Sequence, residues 1–497
     1  MNKGSNLFSE IASFYSEKSE DYAMHIIGDT MKCINFSDYN LFRQHSKVKK
    51  SNELFHYAQI LQILLLFPSF RVNGASHYTE SDLFKVLSCH KDVFYRFMQD
   101  DTIDWRDVLY NITWQLWKKI KIQKKIDKAE GQNVLPTVFI VDDSDIEKTN
   151  YRSELVSRIF SHPQHRYIPG YKHLSLAIND GKTLMNLDVQ LMRESKNSKD
   201  KPYGLSAEDK DKQYKKDYKK DSAIQSRIKD AEDEKPNVVM EMIKRAIDKG
   251  FRADYLLNDS WFTSSELLKF CTSNHMHLLG MVKMGKTKYD YTRQGWSEPK
   301  AYTANSLAAF LWKEERTRNN KKHHKKYGYY YMECNVKYKG QKAKMIFMRK
   351  NKKDKWKALL SSNLSLTFSE AYKIYSMRWA IEVSYGDEKG LLGLENCRQR
   401  SFAAQIAHET ITCLTYNMLA LVKRFSAYET IGELFRCSLE GAVKLSVTEK
   451  LWGLIQEIAN ALTKDESYPN STDETVAIIL EHSETVKSIQ RICDRVA

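Results

Sequence analysis

The sequence predicts an α/β protein: a mixed sheet with flanking helices, interrupted by a β-rich insertion and enclosed by helical N- and C-terminal regions. Three observations predict it. Between Asn133 and Val282, short apolar runs rich in β-branched residues recur, bounded by turn residues and separated by a helical pattern. From Lys283 to Lys357 the chain turns basic and alternates apolar with polar residues at the period of a strand. On either side of that block, apolar residues recur at helical spacing.

Residues 1–130 are the predicted helical N-terminal region. Glu53 to Phe67 has helical apolar spacing, and Thr79-Glu80-Ser81-Asp82 can cap a helix through LFKVLSCHKDVFYRFM. Ile103 to Ile126 interleaves aromatic and basic residues along a third helix. Short helices with basic ends suit a DNA-binding subdomain, but no helix-turn-helix pattern singles out a recognition helix. Trp105, Trp114 and Trp117 read as core anchors rather than base-stacking residues.

Residues 131–282 form the first part of the predicted core. Pro136 to Val141 is a strand that runs straight into Asp142, Asp143 and Ser144. His173 to Ile178 and Thr183 to Leu191 flank Asn179-Asp180-Gly181, a hairpin signal. The charge-dense stretch Ser195 to Glu234 reads as a solvated loop and helix, with a DNA-contacting surface as the other reading. Pro236 to Lys249 is an amphipathic helix stopped by Gly250. Ala253 to Asn258 is a strand that delivers Asp259, and His277 to Val282 is another.

Residues 283–357 are the β-rich insertion, in which Tyr327 to Tyr338 and Lys342 to Arg349 alternate as β-ribbons. Adjacent His323 and His324 lack partners at zinc-ligand spacing. Residues 358–425 resume the core: a strand from Trp356 to Ser362, one helix from Thr367 to Lys389, and a long amphipathic helix from Ser401 to Arg424. Residues 426–497 read as helical with a polar break from Asp465 to Glu474, serving either dimerisation or completion of the core.

A chain of 497 residues with 42% hydrophobic composition can bury a sizeable core. The longest strongly apolar run, Ile60 to Phe67, is too short to cross a bilayer, and Met1 to Ser19 has no signal-peptide core, so a cytoplasmic protein with no membrane partner is expected. Lysine and arginine number 78 against 63 acidic residues, a formal charge of +15 that suits a polyanionic partner such as nucleic acid. The eight cysteines are widely spaced with no Cys-x-x-Cys pair, which points to reduced core thiols rather than a zinc site or a disulfide framework.

The Thr367 to Lys389 stretch carries an unusual polar stripe. Thr367 and Glu370 have capping-box spacing. At about 100° per residue, Tyr375, Arg378, Glu382 and Lys389 fall within roughly 60° of one another, while Ile374 and Ile381 point away. Spacing alone also suits a solvated face with an ordinary Arg378–Glu382 pair. However, Tyr-x2-Arg-x3-Glu-x6-Lys resembles the YREK signature of DDE transposases of the insertion-sequence type, family four, across roughly Val134 to Arg424.

That resemblance implies an RNase H-like catalytic core and an Asp-Asp-Glu triad with its two aspartates at strand ends. Carried onto this sequence, it makes Asp143, in VFIVDDSD, the first catalytic and metal-binding acid, with Asp142 as the alternative, Asp259 the second and Glu382 the third. Ser144 stands where the family commonly has threonine. The implied cofactor is Mg²⁺, two ions, with Mn²⁺ as a substitute: hard cations that take carboxylate oxygens and leave positions for substrate. Tyr375, Arg378 and Lys389 are implied to bind the DNA backbone.

The implied partners are double-stranded DNA, both inverted terminal repeats and target, and a second copy of the chain in a synaptic homodimer. The setting that the resemblance implies is bacterial and nucleoid-associated. A base flipped near the cut would stack on Trp296, Trp312 or Trp356, which the sequence does not rank. A non-catalytic DNA-binding descendant of a transposase, and a nuclease of the same fold without strand transfer, are the other readings.

Overall fold

The computed structural model describes residues 27, 30–31, 34–36, 47–50, 53–194, 201–317, 323–426 and 428–440. The chain divides into two compact units, one of Met98–Ala420 and one of Met1–Phe97 with Leu421–Ala497. Most of the predicted C-terminal helical region lies outside the described residues.

In the second of these units, strands β1 (Lys47–Lys50) and β2 (Glu53–His56) form an antiparallel pair, followed by helix α1 (Tyr57–Leu66). The predicted helix from Glu53 therefore starts later, because its first four residues are extended. A 3-10 turn at Ala75–Glu80 precedes α2 (Leu83–Val86) and α3 (Lys91–Met98). One continuous helix was expected across these two, but Leu87 is extended. The buried Tyr78 hydroxyl donates to the carbonyls of Leu83 and Leu87, at 2.8 and 2.7 Å, taking backbone acceptors that an unbroken helix would use.

The central unit opens with α4 (Trp105–Ala129), capped by the Asp104 carboxylate on the amides of Arg106 and Asp107. This helix packs on the sheet that follows, so the core begins by Trp105, ahead of the predicted boundary at 130. Of the three expected core anchors, Trp105 and Trp117 are buried and Trp114 is half-buried, its ring 5.0 Å from that of Phe251. Then come β3 (Val138–Glu147), β4 (Ser157–Ser161), β5 (Arg166–Asn179) and β6 (Leu184–Met192). The hairpin joining β5 to β6 forms where the Asn-Asp-Gly sequence places it. Gly181 adopts φ +96°, and the Asp180 carboxylate accepts from the Thr183 amide at 2.8 Å.

Two helices, α5 (Ala207–Lys212) and α6 (Ala223–Glu232), occupy the charge-dense stretch, and α7 (Lys235–Asp248) follows. Helix α6 is not merely solvated, because Arg227 is buried and donates to the Val189 carbonyl on β6. At the centre of this packing lies Asp188 of β6, fully buried. Its carboxylate accepts from Arg245 of α7 at 2.9 Å and from Tyr110 of α4 at 3.1 Å, with Arg106 and Arg227 guanidinium nitrogens each 3.7 Å away. Burial alone would raise this carboxyl; the three guanidiniums overcome it and hold the group below its usual range.

Strand β7 (Tyr255–Asn258), helix α8 (Ser265–Ser273) and strand β8 (His277–Met281) complete the core order. The spatial sequence is β6-β5-β3-β7-β8, with β3, β5 and β6 successively antiparallel and β7 and β8 parallel to β3. That is the strand order of an RNase H-like core.

The insertion contributes β9 (Lys288–Tyr291), β10 (Lys300–Thr303), β11 (His323–His324), β12 (Tyr329–Tyr338) and β13 (Gln341–Arg349). These strands are not a separate sheet. Strand β14 (Lys357–Ser361) pairs with both β13 and β8, so one sheet of twelve described strands runs from β10 to β4. The insertion also holds α9 (Ala304–Thr317), which the strand-like texture on either side concealed. The chain then forms α10 (Phe368–Ser376), α11 (Trp379–Gly390) and α12 (Phe402–Arg424).

Candidate active site

The single helix expected from Thr367 to Lys389 is two. The Thr367–Glu370 capping box forms as predicted. At Met377 and Arg378 the hydrogen bonds shorten to an i to i−3 pattern, and the Asn179 amide reaches the Met377 carbonyl at 3.4 Å. The tightened turn separates α10 from α11 while leaving the backbone near helical values, so the polar stripe still faces the strand ends.

Arg378 is the hub of that stripe. Its Nη1 donates to Asp142 Oδ2 at 2.6 Å, and its Nη2 donates to Glu382 Oε1. One guanidinium thus joins the middle of β3, just past the end of its pairing with β7, to the first turn of α11. Tyr375 donates its hydroxyl to the Asn258 carbonyl at 3.2 Å, at the end of β7. Lys389 donates to the Asp145 carbonyl and pairs with Glu395 at 3.2 Å. Tyr385, which the sequence reading overlooked, is buried and donates to the Asp142 carbonyl at 3.1 Å, fastening the helix to the strand.

Asp259 leaves β7 into a loop held from several sides. Its carboxylate accepts from the Trp261 amide at 2.8 Å. Beneath it, Asn258 donates to Thr263 Oγ1 at 2.8 Å, and Thr263 donates to the Met281 carbonyl at 2.6 Å. Gly280 on β8 permits this packing, since a Cβ there would collide with Thr263 Oγ1 and lie 2.8 Å from the Asn258 side chain.

Consecutive residues on a strand point to opposite faces, and the two aspartates of β3 divide accordingly. Asp142 turns to Arg378, whereas Asp143 turns aside to Lys235, its Oδ2 2.8 Å from the lysine Nζ. Burial pushes the Asp142 carboxyl up to about 7; Arg378 opposes that rise, and the charges of Asp143 and Asp259 add to it. The structure therefore joins Asp142, Arg378 and Glu382 directly, while Asp143 and Asp259 both act on Asp142 through their charge and Asp143 itself pairs with Lys235.

Among the described residues, the donor atoms that converge within 4.8 Å belong to His173, Glu388 and Cys413, not to Asp142, Asp259 and Glu382, two of which are taken up by Arg378. Two carboxylates clamped by one guanidinium, with a third acid raising the pKa of the first, amount to clustered negative charge. The oxygens of those acids are hard donors of the kind Mg²⁺ takes.

Around the group, Trp379, Val383 and Trp261 are exposed at 63%, 49% and 50%, an unusual apolar fringe for a charged site. Trp379 lies next to Arg378 in sequence, and that adjacency was the only available signal. Of the tryptophans in the insertion, Trp312 and Trp356 clasp the Arg349 guanidinium at 4.4 and 4.2 Å. Trp296 packs with Phe310 at 5.8 Å and Lys300 at 4.6 Å.

Behind α11 lies a buried polar cluster. His173 Nδ1 is 2.6 Å from Glu409 Oε2, Asn186 donates to Glu388 at 2.6 Å, and donor atoms of His173, Glu388 and Cys413 lie within 4.8 Å of one another. Burial pushes the Glu388 carboxyl up to about 7. Because the folded chain keeps that proton after the unfolded chain has lost it, stability falls as pH rises from about 4.5 to 7 and is level above. Glu388→Gln is expected to flatten this fall, read as melting temperature against pH. An unchanged slope would count against a protonated Glu388.

Residues 83–303, which contain Asp142, Asp143 and Asp259, match the family model described as DDE superfamily endonuclease. Residues 227–418, which contain Asp259 and Glu382, match the transposase DDE domain. The two matches support a DDE transposase, a nuclease-type enzyme. No curated protein matches the chain. Among solved structures, the piggyBac transposase synaptic complex with hairpin DNA is similar over 95% of this chain and 85% of that one, at 13% identity and a TM-score of 0.38, too distant to argue from. Among the described residues, no helix is long and apolar enough to cross a membrane.

Proposed function

We propose that the protein is a cut-and-paste DNA transposase of the insertion-sequence type, family four, cleaving at inverted terminal repeats and joining the freed ends to target DNA. The observation that carries this reading is the Arg378 guanidinium spanning Asp142 of β3 and Glu382 of α11. Asp142 takes the first catalytic position in place of Asp143, since it is the Asp142 side chain that meets the signature helix.

Asp142, Asp259 and Glu382 would hold a pair of Mg²⁺ ions, or Mn²⁺, which supply an activated water or 3′-hydroxyl and neutralise the leaving oxygen. The chain's own residues orient the DNA. Arg378 presents five donors in a fork that matches phosphate geometry, so it can exchange its carboxylate partners for the backbone beside the cut. Lys389 adds a second cation on the same helix, and the Tyr375 hydroxyl a donor at the end of β7. The basic composition serves phosphate contacts elsewhere on the chain, and bringing two transposon ends together requires two copies of the enzyme.

The test is to incubate the protein with the DNA flanking its own gene. Excised and joined products are expected with Mg²⁺ or Mn²⁺ and none with a chelator. Cutting without joining would leave a nuclease of the same fold, and binding without cutting would leave a DNA-binding descendant. Lys389→Ala is expected to lower cleavage at least ten-fold while the melting temperature stays near that of the parent, and Arg378→Ala to lower cleavage at least as much together with the melting temperature, because it leaves the largely buried Asp142 carboxylate without its guanidinium. Wild-type cleavage in both would reduce the stripe to a surface ion pair worth under about 1 kcal/mol.

A further inference from the structure

The polar cluster behind α11 gathers three kinds of metal donor in one dry place. His173 of β5, Glu388 of α11 and Cys413 of α12 are fully buried, and one donor atom from each lies within 4.8 Å of the others. Neighbouring groups occupy one end of each polar side chain and leave the other over. Glu409 Oε2 stands 2.6 Å from His173 Nδ1, and the Asn186 amide donates to Glu388 Oε1 at 2.6 Å. His173 Nε2 and Glu388 Oε2 are buried with no hydrogen-bond partner. Buried polar atoms left unpaired are destabilising, so two of them in a cluster with a buried sulfur call for a shared partner.

We infer that His173, Glu388 and Cys413 form a structural zinc site, binding the ion through the imidazole Nε2, the carboxylate Oε2 and the thiolate. The donor set selects the metal. A thiolate does not suit Mg²⁺ or Ca²⁺, whereas nitrogen, sulfur and carboxylate oxygen together suit Zn²⁺. A carboxylate on the far nitrogen of a ligating imidazole fixes its tautomer and raises its basicity, and Glu409 stands in that place. Full burial makes the site structural, since no substrate reaches it. In the metal-free chain protons fill the same gap: burial pushes the Glu388 carboxyl up to about 7, and burial with the charges of Glu388 and Glu409 raises the Cys413 thiol. Zinc takes the place of those protons. The pH dependence given above for Glu388 is that of the metal-free chain.

The ion ties together elements that carry or support the candidate acids. In the pairing of β3 with β5, His173 lies opposite Ser144, two residues from Asp142, and Glu388 lies on the helix that carries Glu382. One cation thus fastens the neighbour of the Asp142 strand to the Glu382 helix and to α12. No spacing in the sequence announces the site, because each ligand comes from a different element.

The test is a titration of the chelator-stripped full chain with Co²⁺, which replaces zinc and reports a thiolate ligand by intense near-ultraviolet absorption. A single equivalent giving that band, displaced by Zn²⁺, is expected. Cys413→Ser should lose the band, and His173→Gln and Glu388→Gln should weaken binding at least ten-fold. Glu382→Gln should keep the band, which separates this site from the candidate active site. Zn²⁺ in about hundred-fold excess over its dissociation constant should raise the melting temperature of the parent by roughly 3 °C or more, and that of Cys413→Ser by less than about 1 °C. No thiolate band in the parent, or a band that survives in Cys413→Ser, overturns the site. Either result leaves the transposase reading untouched, because that reading is tested on DNA.

Discussion

Asp142→Asn is expected to abolish DNA cleavage and strand transfer, by a factor of about a thousand or more, while Asp143→Asn stays within about ten-fold of the parent. The amide keeps the shape of the carboxylate and removes the charge that a divalent cation needs. It also removes one of the two acids that Arg378 joins. Asp143 is one residue away but faces Lys235, so its neutralisation loosens a lysine and leaves the group around Arg378 intact. Cleavage is measured on a terminal-end duplex with Mg²⁺, alongside Asp259→Asn and Glu382→Gln, which should be as inactive as Asp142→Asn. An inactive Asp143→Asn with an active Asp142→Asn would restore the assignment that the VDDS motif first suggested. Full activity in Glu382→Gln would remove the metal-dependent mechanism altogether.

The largest expected effect on stability is at Asp188. Asp188→Ala leaves the guanidiniums of Arg106, Arg227 and Arg245 clustered around an uncompensated site, and breaking a buried ion network of this kind costs about 3–5 kcal/mol. The carboxyl is held below its usual range, so its contribution is complete above the ordinary aspartate pKa and is lost as pH falls through the folded value. The variant should therefore show a lowered urea midpoint at neutral pH and a smaller difference from the parent in acid. Glu241→Ala, which removes an exposed partner of Lys244, is the control and should leave the midpoint unchanged. Equal midpoints for parent and Asp188→Ala would show that the cluster contributes nothing net.

The core strands were legible in the sequence because β-branched runs ending in Asp and Asn-Asp-Gly are local signals, and the same strands form at Val138–Glu147, Arg166–Asn179 and Tyr255–Asn258. The stripe of Tyr375, Arg378, Glu382 and Lys389 was legible for the same reason, since helical spacing is a property of one segment. What could not be read was which of two adjacent aspartates faces the helix. That depends on the pleat of β3 and its pairing of Asp142 with Ser175, a non-local register. The burial of Arg227 in a charge-dense stretch and the joining of the insertion to the core sheet were hidden likewise. Asp188, 39 residues upstream of Arg227 in the chain, and the β14 partner strands lie far from the segments that needed them.

That joining bears on any attempt to trim the enzyme. Removing residues 283–357 at the boundaries suggested by composition would keep most of β14 on β8 and delete β13, its other neighbour. The apolar segment Ala358–Leu359–Leu360, buried in the intact chain, would then form a raw margin of unpaired amides and carbonyls with no charge or proline to discourage docking by another molecule. The shortened protein would be a template for aggregation rather than a minimal nuclease. A usable truncation must supply a blunt end to the sheet, for instance by replacing the deleted hairpin with a short lysine-bearing one.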